Sequence, residues 1–492
     1  MKYLIYSNTG LTSKQLGLTA EIIENLRGSG NQLMLVLCDN VLDNCYFNRV
    51  HNVLGCASCQ SRMLTLLKQG GLRKEEIHRL KRYPEAYSAP LPPFRSMDDL
   101  YGFSFEGINV GRGVASSVIS YTRDFDLIQE PYLGLIKVEL HKSINVLLNF
   151  RDIFKSYQPD ELYLFNGRFA EVFPVMELAR AVNLPFYTLE SGAGNNYEMF
   201  RNHLPHSIAS REKSMHLLWE ATDAEERVGV GSRWFEMKRS GDESIEPSFT
   251  RHQDQERLPD DYQPARRNIA LLNSSQDEQM AVPEWKTPLY EFQNEAIRQI
   301  LNHFRDRNDL HFYLRIHPNL GTVDNIQMRE IRKMSFPNLT IIPPDSKIST
   351  YKLIDACEKV ITFGSSTGIE AAFWGRPSIL YGRAFYENLG SVYRPDSFDA
   401  LVALIDYPDL PPLSRDGALV YGHYMSRFGR QTTHFQFRGL RGSTYKGKRI
   451  RLMYSVGLLL VFRYLRRTGL WLKLHRLYYG KGFSLRSLIR YK

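Results

Sequence analysis

Residues Val360–Tyr381 read VITFGSSTGIEAAFWGRPSILY. Val-Ile-Thr-Phe is a short, β-branched apolar run and reads as a buried strand. Gly364-Ser365-Ser366-Thr367 breaks it, a helical pattern comes next, and Gly375-Arg376-Pro377 stops that helix before a second strand, Ser378–Leu380. Strand, turn, helix and strand in this order make a βαβ unit, so the sheet is parallel and its ligand belongs at the carboxyl ends of the strands. The turn offers the hydroxyls of Ser365, Ser366 and Thr367 and free backbone N–H groups at the positive end of a helix, a cradle for phosphate. Thr367-Gly368-Ile369-Glu370 also fits a capping box, and on that reading the turn only begins a helix.

Working outward, Ile269–Leu272, Phe312–Ile316 and Leu339–Ile342 are further strands separated by helical lengths. His311–Pro318 reads HFYLRIHP, in which Arg315 and His317 fall on one face and reach the strand end, where Pro318 stops it. A histidine there is either structural or, beside an arginine, a donor to phosphate or base. The strand Ile269–Leu272 runs into Asn273-Ser274-Ser275-Gln276-Asp277-Glu278, another hydroxyl-rich turn. Three strand ends carrying small polar or cationic groups point to a nucleotide-phosphate site.

The first half repeats the alternation. Tyr3–Ser7 and Gln32–Cys38 read as strands around a helix at Leu16–Leu26, and Leu162–Phe165 and Pro185–Leu189 bracket a helix at Ala170–Val182. Ser58–Tyr157 is mostly helical, broken by a Pro-rich loop at Tyr83–Pro93. Arg239–Arg267 is polar and almost free of apolar residues, as a linker is. The expected architecture is α/β, with two Rossmann-like domains facing a cleft. Residues 1–238 form the first Rossmann-like domain, with a helical insertion at about 58–157; 239–267 is the linker, 268–416 the second Rossmann-like domain and 417–492 a basic amphipathic tail.

Composition bounds the classes. The 492 residues, 43% apolar and 24% charged, exceed one ordinary core. Five cysteines without a leader argue against a disulfide scaffold, and no uncharged apolar run approaches the ~20 residues of a membrane span. A cytosolic chain is expected. Residues 417–492 hold 17 Lys and Arg and no acid, whereas the rest of the chain holds 46 basic against 53 acidic side chains. Such a tail seeks an anionic surface. Tyr454–Phe462 reads YSVGLLLVF, and Leu465, Leu470, Trp471, Leu472 and Leu474 interleave with Arg463, Arg466, Arg467 and Lys473. That mixture suits a membrane interface better than nucleic acid, although a helix packed on the body would look similar.

The His-Pro pair followed by a Ser-Ser-Thr turn is similar to motifs of bacterial sialyltransferases and capsule Kdo transferases, which adopt the GT-B glycosyltransferase fold. The longer pattern, NSSQDE, RIHPN, Ser349-Thr350-Tyr351 and GSSTGIEAAFWGRPSILYGRAFYENLG, resembles the capsule polysaccharide biosynthesis proteins over Asn273–Gly390. The resemblance implies that His317 and the turn Ser365-Ser366-Thr367 hold the nucleotide phosphate of a sugar donor, a CMP-linked acid sugar being favoured. Glu370 then stands near the donor's ribose hydroxyls. Ser274, Ser275, Arg315 and Pro318 complete the expected donor site.

Inverting transfer needs a base for the acceptor hydroxyl and a stabiliser for the leaving phosphate. Phe186–Glu190 brings a carboxylate to a strand end, followed by Gly192. The sialyltransferase-like families place an acid-acid-Gly motif in this half, and Glu190 and Gly192 match it, while Ser191 replaces the middle acid. Glu190 is therefore the candidate base, its bland alternative being a helix cap. Asn166-Gly167-Arg168 ends the neighbouring strand, and Asn166 and Arg168 are candidate cleft residues or a plain turn with a solvated arginine.

Other patterns read blandly. Cys38, Cys45, Cys56 and Cys59 contain one C-x-x-C pair and read as free thiols rather than a zinc site. Asp124-Phe125-Asp126 reads as a solvated turn rather than a metal site. No cofactor and no metal are expected. The first strand lacks G-x-G-x-x-G, and neither a Walker loop nor a nucleophile elbow occurs. The expected protein is a metal-independent, inverting glycosyltransferase of capsule polysaccharide or lipopolysaccharide assembly, peripheral on the inner face of the cell membrane. Its expected partners are a nucleotide-sugar donor, a glycan or lipid-linked acceptor and an anionic membrane surface. The rivals are a CDP-polyol phosphotransferase of similar fold and a non-catalytic protein that binds polysaccharide or lipid carrier.

Overall fold

The computed structural model describes residues 1–28, 30–49, 51–243, 248–438 and 443–450. The part of the basic tail from 451 to 492 lies outside them. Two parallel sheets organise the chain. In the second half the strand order is Leu339–Ile342, Leu310–Arg315, Arg267–Leu272, Lys359–Thr362 and Ser378–Leu380, all parallel. The first strand of this series lies in the middle, and the chain winds outward to one side and then to the other. That reversal opens a crevice at the carboxyl ends of Arg267–Leu272 and its two neighbours.

The first half has the same winding. Lys2–Ser7 is central, with Gln32–Leu37 and Ile77–Arg79 on one side and Glu161–Phe165 and Phe186–Ser191 on the other. Two strands then extend the edge antiparallel, Asn196–Arg201 and Arg430–Gln431. Each sheet carries apolar clusters on its two faces, as a doubly wound sheet must. The fold is thus the GT-B-like pair of Rossmann-like halves expected from the sequence.

The region from 58 to 157 is helical in bulk, but it also supplies the strand Ile77–Arg79. Its long helix Glu130–Tyr157 starts with Pro131 in the first turn and ends at Gln158 in the left-handed conformation. Ile136, Leu140, Ile144, Leu147 and Ile153 bury its inner stripe at helical spacing. Deep in this half Lys142 is fully buried, 2.5 Å from Glu139 and 3.4 Å from Glu171, both also fully buried. Asn44 bridges the group, accepting from Lys142 at 3.0 Å and donating to Glu139 at 2.6 Å.

The chain leaves the first sheet earlier than the linker at 239. Helices Ile208–Glu220 and Ala224–Ser240 pack on the second half, where Phe235 stacks on Phe373 with centroids 4.1 Å apart. Within the expected linker 239–267, the described residues from 253 to 262 hydrogen-bond to the second half. Asp254 N–H donates to the Lys347 carbonyl, Thr350 N–H to Gln253 Oε1, and Tyr262 Oη–H to the Ala356 carbonyl, so this stretch lies along the second half. Its backbone needs partners, and the turns of the sheet edge supply them.

Of the expected tail from 417, residues 417–438 and 443–450 are described, and these are structured. Helix Asp416–Arg427 crosses Ala224–Ser240 so closely that a Cβ on Gly422 would lie 2.4 Å from the Gly231 carbonyl oxygen. Glycine is required there because backbone meets backbone. The chain then returns to the first half. At this double crossing Arg211 donates to Glu198 at 3.1 Å and to Tyr424 Oη at 2.9 Å, and Tyr424 Oη–H reaches the same carboxylate. Among the described residues, no helix is long and apolar enough to cross a membrane.

Candidate active site

The strand Lys359–Thr362 delivers Gly364 with φ 134°, and a Cβ there would lie 2.3 Å from Gln279 Nε2. Gln279 donates 2.7 Å to the Phe363 carbonyl, so the serine turn is tied to the turn after the strand Arg267–Leu272. Helix Thr367–Phe373 comes next, with Ser366 at its N-cap and no side-chain cap bond. The expected capping box does not form. The Thr367 hydroxyl donates instead to Ser365 Oγ at 2.8 Å, and Ser366 Oγ donates to Glu370 at 2.9 Å. The second Glu370 oxygen accepts from Tyr351 Oη at 2.5 Å. Buried Glu370 therefore braces the turn from below.

His317 sits just past the strand Leu310–Arg315. Its backbone N–H donates to Asn273 Oδ1 at 2.7 Å, and its Nδ1 accepts from the Asn319 N–H at 3.2 Å. With Nδ1 an acceptor, the neutral ring carries its proton on Nε2. Burial, reinforced by the Arg123 charge, pushes the imidazole down to about 4. Arg315 has a different task from the one its neighbour suggests. Its guanidinium donates to the Ile348 carbonyl at 2.8 Å and the Ser346 carbonyl at 3.3 Å, holding the loop before helix Thr350–Ala356. Burial pushes its ordinary value down to about 10.

These turns enclose a cavity of about 270 Å³. Ser274, Ser275, Arg315, His317, Pro318, Ser365, Ser366, Thr367 and Glu370 all line it, so the structure brings the whole expected donor set together. Two lining side chains have polar atoms that are buried and unpaired. Among the described residues Asn273 Nδ2 and Ser274 Oγ have no hydrogen-bond partner, and Asn273 is 2% exposed. A buried donor without a partner costs about 1–3 kcal/mol. A ligand rich in acceptor oxygens relieves that cost.

Sequence reasoning did not single out Asn273, although the quoted NSSQDE turn begins with it. It also passed over Lys238, Phe249 and Gln253, which line the cavity from outside the second sheet. Phe249 is 42% exposed and meets the His317 ring edge-on at 5.5 Å. No motif could reveal these residues, because helix Ala224–Ser240 brings Lys238 here and the segment after it brings Phe249 and Gln253.

On the first half, Glu190 is half-buried in the strand Phe186–Ser191. One carboxylate oxygen accepts from Asn166 Nδ2 at 2.8 Å and the other from the Ser191 N–H at 2.8 Å. The strand turns after Glu190 into a hairpin with Asn196–Arg201, so this carboxylate caps no helix. Asn166 and Gly167 turn with φ of 63° and 93°, which aims the asparagine back at Glu190. Arg168 is not a solvated side chain. It donates to Ser116 at 2.9 Å and Ser120 at 3.0 Å, and lies 4.1 Å over the Phe169 ring. Burial lowers its ordinary value, opposed by Tyr46, Glu190 and Glu278. Glu278 lines the cavity of the second half, so Arg168 stands electrostatically between the two sites. Gly192 packs under the strap that leaves helix Asp416–Arg427, where a Cβ would lie 2.7 Å from the Phe428 carbonyl oxygen.

Asp124-Phe125-Asp126 is part of the contact between the halves rather than a solvated turn. Buried Asp124 accepts from Tyr132 Oη at 3.0 Å and pairs with Arg329 at 3.4 Å, and Phe125 stacks on Phe292 at 5.6 Å. Beside it Arg123 pairs with Asp277 and donates to Ser275 Oγ at 2.8 Å. The cysteines are free thiols. Cys59 Sγ accepts from the Gly10 N–H and Cys56 Sγ from Asn48. Among the described residues, no three His, Cys, Asp or Glu side chains are grouped as metal ligands.

Residues 253–394 match the family model described as capsule polysaccharide biosynthesis protein. The match lies wholly in the second half and spans less than a third of the chain. The matched segment contains every residue of the expected donor set. Among curated proteins none matches. Among solved structures, the Thermosulfurimonas dismutans KpsC β-Kdo 2,4-transferase is 16% identical, covering 54% of this chain and 79% of its own, with TM-score 0.37. UDP-GlcNAc 2-epimerase from Neisseria meningitidis, solved with UDP-GlcNAc, is 11% identical over 86% of this chain and 97% of its own, with TM-score 0.28. The calicheamicin glycosyltransferase CalG4 is 14% identical over 86% and 94%, with TM-score 0.25.

Proposed function

We propose that this protein is a glycosyltransferase of capsule polysaccharide synthesis that takes its sugar from a nucleotide donor, a CMP-linked acid sugar being favoured. The observation that carries the reading is the cavity, where nine residues of three strand ends converge with two buried unpaired donors. In the proposed reaction the donor phosphate accepts from His317 Nε2–H, Asn273 Nδ2, Ser274 Oγ and the turn Ser365–Thr367. Donors fixed before the reaction stabilise the charge that develops on the leaving phosphate. The acceptor hydroxyl attacks the anomeric carbon, its proton passes to Glu190, and the carbon–oxygen bond to phosphate breaks with both electrons going to the phosphate oxygen. Attack opposite the leaving group inverts the centre. Protein donors carry the phosphate charge in this scheme, so chelator is expected to leave turnover unchanged. The basic tail brings the enzyme to the inner face of the membrane, where a lipid-linked or polymeric acceptor resides.

The test is a thermal-shift screen of the protein against CMP, CDP, UDP and GDP, repeated on His317→Ala and Asn273→Ala. A nucleotide at ~100 times its Kd stabilises the fold by ~2.7 kcal/mol, a rise of a few degrees. One nucleotide is expected to raise the wild-type Tm, with the rise lost in both variants. No shift with any nucleotide would overturn the donor reading. Chemical analysis of the product then separates sugar transfer from polyol-phosphate transfer.

A further inference from the structure

The return of the chain to the first half is a built dock. Buried Glu21 accepts from three consecutive backbone N–H groups, Thr433 at 2.6 Å, His434 at 2.9 Å and Phe435 at 3.0 Å. Gly17, one turn earlier on helix Ser13–Leu26, leaves the space that Phe435 fills, since a Cβ there would lie 2.1 Å from its ring. Tyr445 Oη and Lys446 Nζ both reach Glu24, another turn along. Phe435, Tyr445 and Ile450 join the core of the first half. Residues 430–438 and 443–450 therefore form a strap rooted on the first helix.

The strap also grips the hairpin after Glu190. Ala193 N–H donates to the Phe428 carbonyl at 3.0 Å, Thr432 Oγ1–H to the Asn195 carbonyl at 2.9 Å, and Phe437 N–H to Asn195 Oδ1 at 2.6 Å. Lys14 lies 5.3 Å from the Phe437 ring; burial lowers its ammonium's ordinary value, opposed by the Glu190 charge. The outer side of the strap is cationic. Arg430, Arg438, Lys446, Lys448 and Arg449 are all exposed. Beyond its buried end at Ile450 the chain has a further 42 residues, with ten Lys and Arg, no acid, and interleaved Leu, Tyr and Trp.

We infer that the strap and the first-half surface around it dock on an anionic lipid bilayer, which sets the Glu190 edge at the membrane and turns the donor cavity toward the cytosol. The inference rests on the membrane-peripheral reading and adds which half faces the lipid. Basic side chains within a Debye length of an anionic surface each add attraction, and apolar residues among them enter the interface, which a soluble polyanion cannot offer. A lipid-linked acceptor then reaches Glu190 without leaving the bilayer, while the water-soluble donor enters from the opposite side.

The experiment is flotation of the full chain with phosphatidylglycerol-containing and pure phosphatidylcholine vesicles, followed by hydrogen exchange on the bound protein. The variant Arg430→Glu/Arg438→Glu/Lys448→Glu changes exposed side chains and is expected to keep the wild-type Tm. Wild type should float with phosphatidylglycerol vesicles, and the variant should lose at least about tenfold in binding. Vesicles should slow exchange in peptides covering 430–450 and 189–197 and leave 310–320 and 359–373 unchanged. Absence of phosphatidylglycerol-dependent flotation would overturn both this inference and the membrane reading, with the donor reading untouched. Flotation indifferent to the triple substitution, or protection on 310–320 instead, would overturn the docking face while the membrane reading stands. Dextran sulfate that binds the protein while phosphatidylglycerol vesicles do not would replace lipid by anionic polysaccharide.

Discussion

The donor cavity of the second half and the Glu190 cluster of the first half are built differently. In the cavity, donors are held in place and two lack partners, so the site is incomplete without a ligand. At Glu190 both carboxylate oxygens already accept hydrogen bonds, and Arg168 is held by Ser116 and Ser120. In the proposed reaction one site, the cavity, takes the phosphate. The other holds one charge steady and leaves the acceptor to be brought to it. On the proposed reading, binding and proton transfer would reside on separate scaffolds and be separable by substitution.

The most severe way to sharpen the contrast is Glu190→Gln. Loss of a general base is expected to slow turnover about 10²–10⁴-fold. Nucleotide affinity and Tm should stay at wild type, and a nucleotide Kd that moved with turnover would break the separation. Lys142→Met attacks the first half through its core. It leaves Glu139 and Glu171 buried without their cation, and burial already raises the Glu139 carboxyl. A loss of about 3–5 kcal/mol is expected in denaturant unfolding, because an unpaired buried charge remains.

A smaller effect separates the halves by pH. The His317 imidazole lies well below its ordinary value, at about 4 against 6.5. Between those values the unfolded chain binds the proton and the folded chain does not, so stability is full above pH 6.5 and falls as pH drops toward 4. The loss reaches at most about 3 kcal/mol. His206, buried beside Arg168 and Arg211 and pushed down to about 3, adds to the same slope. His317→Gln should therefore flatten part of the acid limb of Tm against pH, not all of it. The smallest effect expected is that of Arg123→Met, which removes the ion pair to Asp277 across the halves. Nucleotide Kd should rise several-fold, and titration calorimetry should find that change diminished at high salt.

The sequence made the winding of both sheets legible wherever a strand is a short apolar run between helices. Ile77-His78-Arg79 escaped notice because three residues with one apolar side chain carry no period. The strap strands, two residues each, lie below any pattern. The donor set was legible because each member sits in a local turn at a strand end. Asn273 belonged to such a turn, but its unpaired amide is visible only once His317 N–H has taken its oxygen. Arg123, Lys238 and the Glu190–Asn166 pair depend on contacts between distant segments, and no local pattern encodes them. Arg315 shows the converse, a residue in a legible position whose guanidinium is engaged by a loop from elsewhere.

The buried knot of Glu198, Arg211 and Tyr424 ties together both passages of the chain between the halves. Across the opening, Arg123, Asp124 and Lys286 join the halves through ionic contacts to Asp277, Arg329 and Asp98. A door hung in this way has its hinge in low dielectric and its latch partly in water. Ionic strength should therefore weaken the half-exposed ionic contacts across the opening more than the buried knot.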